Sequence, residues 1–412
     1  MLKLINLLRS NKQLPIVYKT QSSILPIIGP LIYSISKLNN KASGTIRNQL
    51  QVLDSFYGYF DGKGFDLDNL LFNGEFQTVF LHLFEFINKY LLEKDQAKNR
   101  TTSRSQLTFK AQVVKSYLDW SLSRYIQLEG NRLLKKDHIV QKFRVRLNYF
   151  FEPYSFSSDS SRKIYKSFSD EDYLALLKLV HPDSIDNPFQ EKERIRNYLI
   201  IQILISSGIR LGELLTIQSA SIKEMNNHYY LSIFLKQDII DIRRNVPSIK
   251  NKQSERIISI SEELYNLSTH YILNNRRPIK NGRKMKLGHG FLFTSSLGNP
   301  LSKSTVAHIF NTINNLQGLE NGLSKRISPH MIRHTFCDKF LKYLIEVREM
   351  DMERAKDHLR AVCGWSPGSN MPTHYAGKYI SLEANEHNIN RLLESHKRYE
   401  KSTIQSKTRY NF

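Results

Sequence analysis

Residues 191–218, EKERIRNYLIIQILISSGIRLGELLTIQ, decide how this chain reads. The stretch begins as a helix dense in apolar residues, reaches a glycine at Gly208, and then presents Arg210 ahead of Leu-Gly-Glu-Leu-Leu. An arginine just past a helix can simply cap it. It can also be held out, well supported, towards an anion. The neighbouring segments decide between the two.

Downstream the pattern changes. Residues 228–237 (HYYLSIFLKQ), 244–250 (RNVPSIK) and 255–261 (ERIISIS) are short, rich in β-branched and aromatic residues, and separated by polar turns, so they predict a small antiparallel sheet. Helical patterns return at 261–273, at 302–315 and from His330 to the end. Upstream, residues 169–180 (SDEDYLALLKLV) read as a helix opened by Ser169 and a run of acids. Before it lies YSFSSDSSRKIYKSFS, residues 154–169, which is Ser-rich, basic and weakly patterned, and is the best linker in the chain. Earlier still, residues 43–60 place Ile46, Leu50, Leu53 and Phe56 at spacings of three and four, with Ser43 as a candidate N-cap. Residues 76–92 and 107–128 are long enough to be further helices, and their Phe and Tyr fit a core. The polar, basic run between them, residues 94–105, reads as a loop. The first ~40 residues read as an extension or small accessory element. The expected division is therefore 1–41 extension, 42–153 helical domain, 154–169 linker and 170–412 second domain, a mainly α chain with one small antiparallel sheet.

Composition bounds the partners. The chain has 412 residues, with 40% hydrophobic and 11% aromatic, enough for two or three globular domains. Lys and Arg number 60 against 38 Asp and Glu, a net charge of +22, which points to a polyanionic partner. A membrane surface fits less well than nucleic acid. The apolar run 24–35 (ILPIIGPLIYSI) falls short of the ~20 residues a span requires, contains two prolines and lacks a signal-peptide cleavage pattern. The chain therefore reads as soluble. Two cysteines, Cys337 and Cys363, make no disulfide framework and no zinc-ligand pair, so a reducing, cytoplasmic location is expected.

Three more segments join Arg210. Residues 328–336 (SPHMIRHTF) hold His330, Arg333 and His334; residues 361–367 (AVCGWSP) hold Gly364-Trp365; residues 371–377 (MPTHYAG) hold Tyr375. Each alone is weak, since an HxxR or a tyrosine on a helix is common. Together, in this order on a basic protein, they resemble the catalytic boxes of the tyrosine recombinase (phage integrase) family. The resemblance covers about residues 170–383 by motif. Upstream it rests on helical character and position alone.

That resemblance implies a DNA strand-transfer enzyme with a helical core-binding domain and an α+β catalytic domain forming a C-shaped clamp on duplex DNA. Arg210 and Arg333 would hold the scissile phosphate, His330 would assist proton transfer, and Trp365 would hydrogen-bond a phosphate oxygen and buttress the site. Tyr375 would form a 3′-phosphotyrosyl bond and release a 5′-hydroxyl. A hairpin lysine would serve as general acid; Lys250 is preferred because it ends a strand, and Lys252 stays open. His334 and Glu213 read as supporting residues. The partners implied are duplex DNA carrying specific recombination sites and further copies of the chain in a tetrameric synapse, to which the amphipathic run 382–399 could contribute.

The chemistry is coherent on its own terms. Attack on a phosphodiester builds charge on the non-bridging oxygens, and two guanidinium forks can clamp them. Tyrosine, with an ordinary pKa of about 10, needs a base and cationic surroundings to become a nucleophile. Arginines would do the neutralising that a metal does elsewhere, no G-x-x-x-x-G-K-[ST] loop is present, and a phosphotyrosyl bond conserves the energy for rejoining. No cofactor or metal is therefore expected. Some features depart from the family. The approach from Trp365 to Tyr375 is slightly longer than usual, Cys363-Gly364-Trp365 stands for Leu-Gly-His, and Tyr379, one turn beyond Tyr375, is an alternative nucleophile. Two other functions remain open: relaxation of supercoils like a type IB topoisomerase, and a DNA-binding regulator on the same scaffold.

Overall fold

The computed structural model describes residues 2–6, 13–19, 25–87, 104–128, 133–154, 167–234, 241–243, 246–247, 249, 254–280, 282–316, 323 and 326–408. The chain divides into two compact units, Met1–Ser161 with Gln237–Arg244, and Arg162–Lys236 with Asn245–Phe412. The linker expected at 154–169 lies mostly outside the described residues, and so do Lys250 and Lys252.

The first unit begins with an antiparallel pair, β1 (Leu2–Asn6) and β2 (Gln13–Val17), followed by α1 (Ile28–Lys37). Then come α2 (Ser43–Gly62), α3 (Leu67–Phe72), α4 (Phe76–Glu85), α5 (Arg104–Leu128) and α6 (Leu133–Phe151). The expected stripe Ile46, Leu50, Leu53 and Phe56 is fully buried, as one face of α2 requires. Ser43 is the first helical residue rather than the cap: Ala42 takes the cap position and provides no side-chain acceptor. The aromatics pack as core. Phe56 meets Phe60 edge-on at 5.2 Å and Phe86 at 4.8 Å, and the Tyr57 hydroxyl joins those of Tyr117 and the Asp68 carboxylate at 2.5 Å each. Val17 and Tyr33 are buried in the same cluster, so β2 and α1 contribute side chains to the core of this unit.

The second unit contains α7 (Asp170–Val180), α8 (Glu191–Ser207) and α9 (Leu211–Thr216). Ser169 caps α7 as expected, its hydroxyl accepting from Asp172 N at 3.1 Å. Helix α8 buries Leu199, Ile200, Ile201, Ile203 and Leu204, which cover about half of its circumference, so a broad face of it packs into the core. It ends at Gly208, whose φ of +57° a side chain would strain and whose missing Cβ leaves room for Phe336.

A three-stranded antiparallel sheet follows, ordered β3 (Ile222–Met225), β4 (His228–Ile233), β5 (Arg256–Ile260). The expected strand at 244–250 is not among its members; of that run, Val246, Pro247 and Ile249 are described and carry no strand pairing. In its place β3 pairs with β4 through a two-residue turn, Asn226-Asn227, both at positive φ, with Met225 opposite His228. Helices α10 (Glu262–His270), α11 (Lys303–Asn314), α12 (Pro329–Lys342), α13 (Met352–Cys363) and α14 (Met371–Thr408) follow, with a short antiparallel pair, Ile279–Lys280 and Arg283–Lys284, between the first two. Ile332 on α12 packs into the core with Leu199, Leu214, Leu292 and Ile309. Beyond it, Cys337, Leu341, Leu359, Cys363, Tyr375 and Ala376 form a smaller buried cluster that joins α12, α13 and α14. The fold is thus mainly helical with a small antiparallel sheet. Among the described residues, no helix is long and apolar enough to cross a membrane.

Candidate active site

Four chain segments of the second unit meet where α13 ends. Helix α12 begins with Ser328 capping Met331 N at 3.2 Å and Pro329 in the first turn, where its missing N–H costs nothing. It then places His330, Arg333, His334 and Cys337 at positions i, i+3, i+4 and i+7, on one face. Gly208 turns the chain from α8 to Arg210, which caps α9. Gly364, at φ +61°, turns the chain out of α13 to Trp365, and α14 carries Tyr375.

A helix leaves its last carbonyls without partners inside the helix, and that end favours cations. Here three consecutive carbonyls at the end of α13 accept from three arginines. Arg256 Nε donates to Val362 O at 2.6 Å, Arg333 Nη2 to Cys363 O at 2.7 Å, and Arg210 Nη1 to Gly364 O at 3.4 Å. Arg333 Nη1 also donates to Gly208 O at 2.5 Å, which fixes the plane of its guanidinium between two segments.

Glu213 counters this positive charge. Its carboxylate has no solvent exposure and accepts from Arg210 Nη1 at 2.6 Å, Arg210 N at 3.0 Å and Arg256 Nη2 at 3.0 Å. Burial pushes the carboxyl up, but Arg256 and Arg210 together hold it below the ordinary glutamate range. Burial and the neighbouring Arg333 pull the Arg210 guanidinium down from its usual value.

Tyr375 is 1% exposed, and its ring stacks on Trp365 with centroids 5.8 Å apart. The Arg333 guanidinium lies 5.2 Å from the indole centre, so Trp365 contacts both the arginine and the phenol. The phenol hydroxyl meets His334 Nδ1, and His334 Nε2 lies 3.0 Å from His330 Nε2. Burial pushes the Tyr375 phenol well above its ordinary range, Cys337 adds to the shift, and Arg333 acts against it. Burial, His330, Arg333 and Lys378 lower His334 to about 4. Burial, Arg333 and Arg210 also lower His330. The lowered values favour the neutral form of both imidazoles. Tyr379 meets a different environment: its hydroxyl donates to Glu346 at 3.3 Å, and that carboxylate helps to keep it protonated.

Five of the residues singled out in the sequence, Arg210, His330, Arg333, Trp365 and Tyr375, thus belong to one cluster. The sixth, Lys250, lies outside the described residues, as does its rival Lys252. Two further residues belong here. His334, read as a supporting residue, is the histidine that touches the Tyr375 hydroxyl. Arg256 was not singled out at all, although a charged residue opening a short apolar strand is a visible oddity.

The chain is similar to several known proteins. The family model described as "Phage integrase family" matches residues 167–353, a range that stops short of Trp365 and Tyr375. Tyrosine recombinase XerH of Campylobacter jejuni is 29% identical over 160 residues, 39% of this chain and 38% of that protein. Transposase A from transposon Tn554 of Staphylococcus aureus is 22% identical over 346 residues, 81% of this chain and 84% of that protein. Among solved structures, the XerH site-specific recombinase bound to palindromic difH substrate in a post-cleavage complex superposes with a TM-score of 0.50 at 18% identity, covering 86% of this chain and 83% of that one. The last supports the fold.

Proposed function

We propose, on the premise that the chain belongs to the tyrosine recombinase (phage integrase) family, that it is a site-specific DNA recombinase that cleaves and rejoins strands through a 3′-phosphotyrosyl intermediate. Tyr375 is the nucleophile, and Arg210 and Arg333 hold the scissile phosphate with donors that cannot lose their charge. The carbonyl contacts of both arginines orient the guanidinium planes, and each side chain has five N–H groups to share between carbonyls and phosphate. His330 serves proton transfer, Trp365 buttresses the nucleophile and presents its indole N–H, and Lys250, or failing it Lys252, protonates the leaving 5′-oxygen. The observation that carries this reading is the convergence of Arg210, Arg333, Trp365 and Tyr375, from four separate segments, on the end of α13.

The wider assignments follow from the same premise. Residues 42–153 form the core-binding domain, 154–169 the linker and 170–412 the catalytic domain, with 1–41 as an N-terminal extension. The partners are duplex DNA with specific recombination sites and further copies of the chain in a tetrameric synapse. The net charge of +22 favours a DNA partner. The working location is intracellular, in the cytoplasm at the nucleoid.

The test is a duplex carrying the DNA that flanks the gene, nicked beside the cleavage position so that the short released strand diffuses away. Wild type should accumulate a covalent protein–DNA band, Tyr375→Phe should not, and an intact pair of sites should yield recombinant product. Relaxation of supercoiled plasmid by isolated protein without recombinant product would favour the topoisomerase reading. Tight binding without any adduct would favour the regulator.

A further inference from the structure

The contact between Tyr375 and His334 carries an assignment beyond this reading, though it rests on Tyr375 being the nucleophile. We propose that His334 is a catalytic residue: it takes the phenolic proton of Tyr375 as the oxygen attacks phosphorus, and it passes its own Nε2 proton to His330, making the two histidines a relay from the buried nucleophile to the surface.

The helix sets up the relay. Residues four apart on α12 are neighbours on one face, and the two imidazoles meet edge-on with centres 4.2 Å apart. His330 is exposed, whereas His334 is 4% exposed and Tyr375 1%. The Nε2-to-Nε2 distance of 3.0 Å is a hydrogen bond only if one of the two nitrogens is protonated and the other is not. If the phenol donates to His334 Nδ1, then neutral His334 carries its proton on Nε2 and gives it to His330 Nε2. All three groups are then satisfied by one tautomer set.

In cleavage the O–H bond of Tyr375 breaks and an Nδ1–H bond forms on His334. The Nε2–H bond of His334 breaks and an Nε2–H bond forms on His330. The phenolic oxygen bonds to phosphorus, and the P–O5′ bond breaks; the departing oxygen takes its proton from the hairpin lysine or from water. His334 stays neutral throughout and the positive charge appears on His330, next to solvent. Charging the buried ring alone would be costly, and shifting the proton outward in the same step avoids that cost. The charged and titratable groups around His334 include His330 and Arg333 on its own helix and Lys378 and Tyr375 from α14; Lys378 is in turn paired with Asp338, and Cys337 acts on the Tyr375 phenol. Rejoining runs the same transfers backwards.

Two experiments test the relay. In the first, single-turnover adduct formation on the nicked flanking-DNA duplex compares wild type with His334→Asn, whose side chain can still accept the phenol's hydrogen bond but cannot take its proton. Adduct formation should slow about 100-fold or more, the usual weight of a general base, with DNA binding and melting temperature at pH 7 and above unchanged. The defect should be undiminished on a duplex whose bridging 5′-oxygen is sulfur, because a thiolate leaves without an acid. Wild-type or faster cleavage by His334→Asn would overturn the relay, as would a defect that the sulfur substrate removes. A wild type that forms no adduct would overturn the recombinase reading and the relay with it.

The second experiment requires no DNA. Nitrogen-15 shifts of the histidine rings in the free protein should show His334 as the Nε2–H tautomer at pH 7. The Nδ1–H tautomer there would overturn the relay even if the recombinase reading stands.

Discussion

Replacing Glu213 by alanine would remove a carboxylate that holds both Arg210 and Arg256 while leaving the two guanidiniums in place. Glu213 is fully buried and takes three hydrogen bonds from those residues, at 2.6, 3.0 and 3.0 Å. Breaking a buried ion pair from one side costs about 3–5 kcal/mol, because the partner charges stay behind without compensation. For a unit of 150–250 residues, each kcal/mol moves the melting temperature by about 2–4 °C, so Glu213→Ala should melt roughly 6–20 °C below wild type. Glu213→Gln keeps the volume but must turn an amide N–H towards an arginine, and should cost about 1.5–3 kcal/mol, the worth of a hydrogen bond to a charged group. The pH dependence follows from the lowered carboxyl. A carboxylate whose folded-state pKa lies below its unfolded value stabilises fully above the unfolded value, and that stability is lost as pH falls through the folded value. The gap between wild type and Glu213→Gln should therefore be widest above the ordinary value of 4.5 and close as the pH falls further below it. Urea melts across this range would read both effects. A Glu213→Ala midpoint within about 1 kcal/mol of wild type, or a gap to Glu213→Gln that pH leaves unchanged, would refute the view that this carboxylate anchors the arginine cluster.

Three other outcomes follow from separate parts of the structure. Gly208→Ala adds a Cβ 2.1 Å from the Phe336 ring at a φ of +57°, so it should cost about 2–4 kcal/mol in a urea melt, and an unchanged midpoint would refute the close packing of that turn. His334 is held neutral in the folded state, at about 4, so its contribution to stability is full above pH 6.5 and is lost on acidification from 6.5 to 4. The loss is on the order of 3 kcal/mol, and comparing wild type with His334→Asn should show that much less acid sensitivity in the variant. With a net charge of +22, binding to duplex DNA should fall steeply with salt, each phosphate contact contributing a slope of about −0.9 in log K against log salt; a flat dependence would contradict phosphate-dominated binding.

Much of this was readable from the residues because it depends on local periodicity. The stripe on α2, the cap at Ser169 and the glycine stop before Arg210 are determined by neighbours three or four places away. That Arg210, Arg333 and Tyr375 lie close together could be read from their order, because phosphate chemistry calls for those residue types in one place. The missed parts depend on distant chain segments. Strand β3 (IKEM) has only four residues and mixed polarity, yet Asn226-Asn227 is a hairpin turn signal that was there to use. The run RNVPSIK looked like a strand from its Val and Ile, although Pro247 lacks a ladder donor. That Tyr375 would meet His334 depends on how α14 packs on α12, which no spacing along one helix reveals. Likewise, Arg256 matters through Val362 and Glu213, residues remote from it in the chain.

The central claim is the identity of the nucleophile, and the direct measurement is the residue that carries the DNA. Adduct trapped on the nicked duplex, trimmed with nuclease and digested with trypsin, would be sequenced by mass spectrometry. Cleavage after Arg360 and Lys378 separates the two candidate tyrosines into different peptides, residues 361–378 and residues 379–391. The nucleotide mass should sit on Tyr375 in the first. Finding it on Tyr379 in the second, or on any residue outside 361–378, would contradict the account.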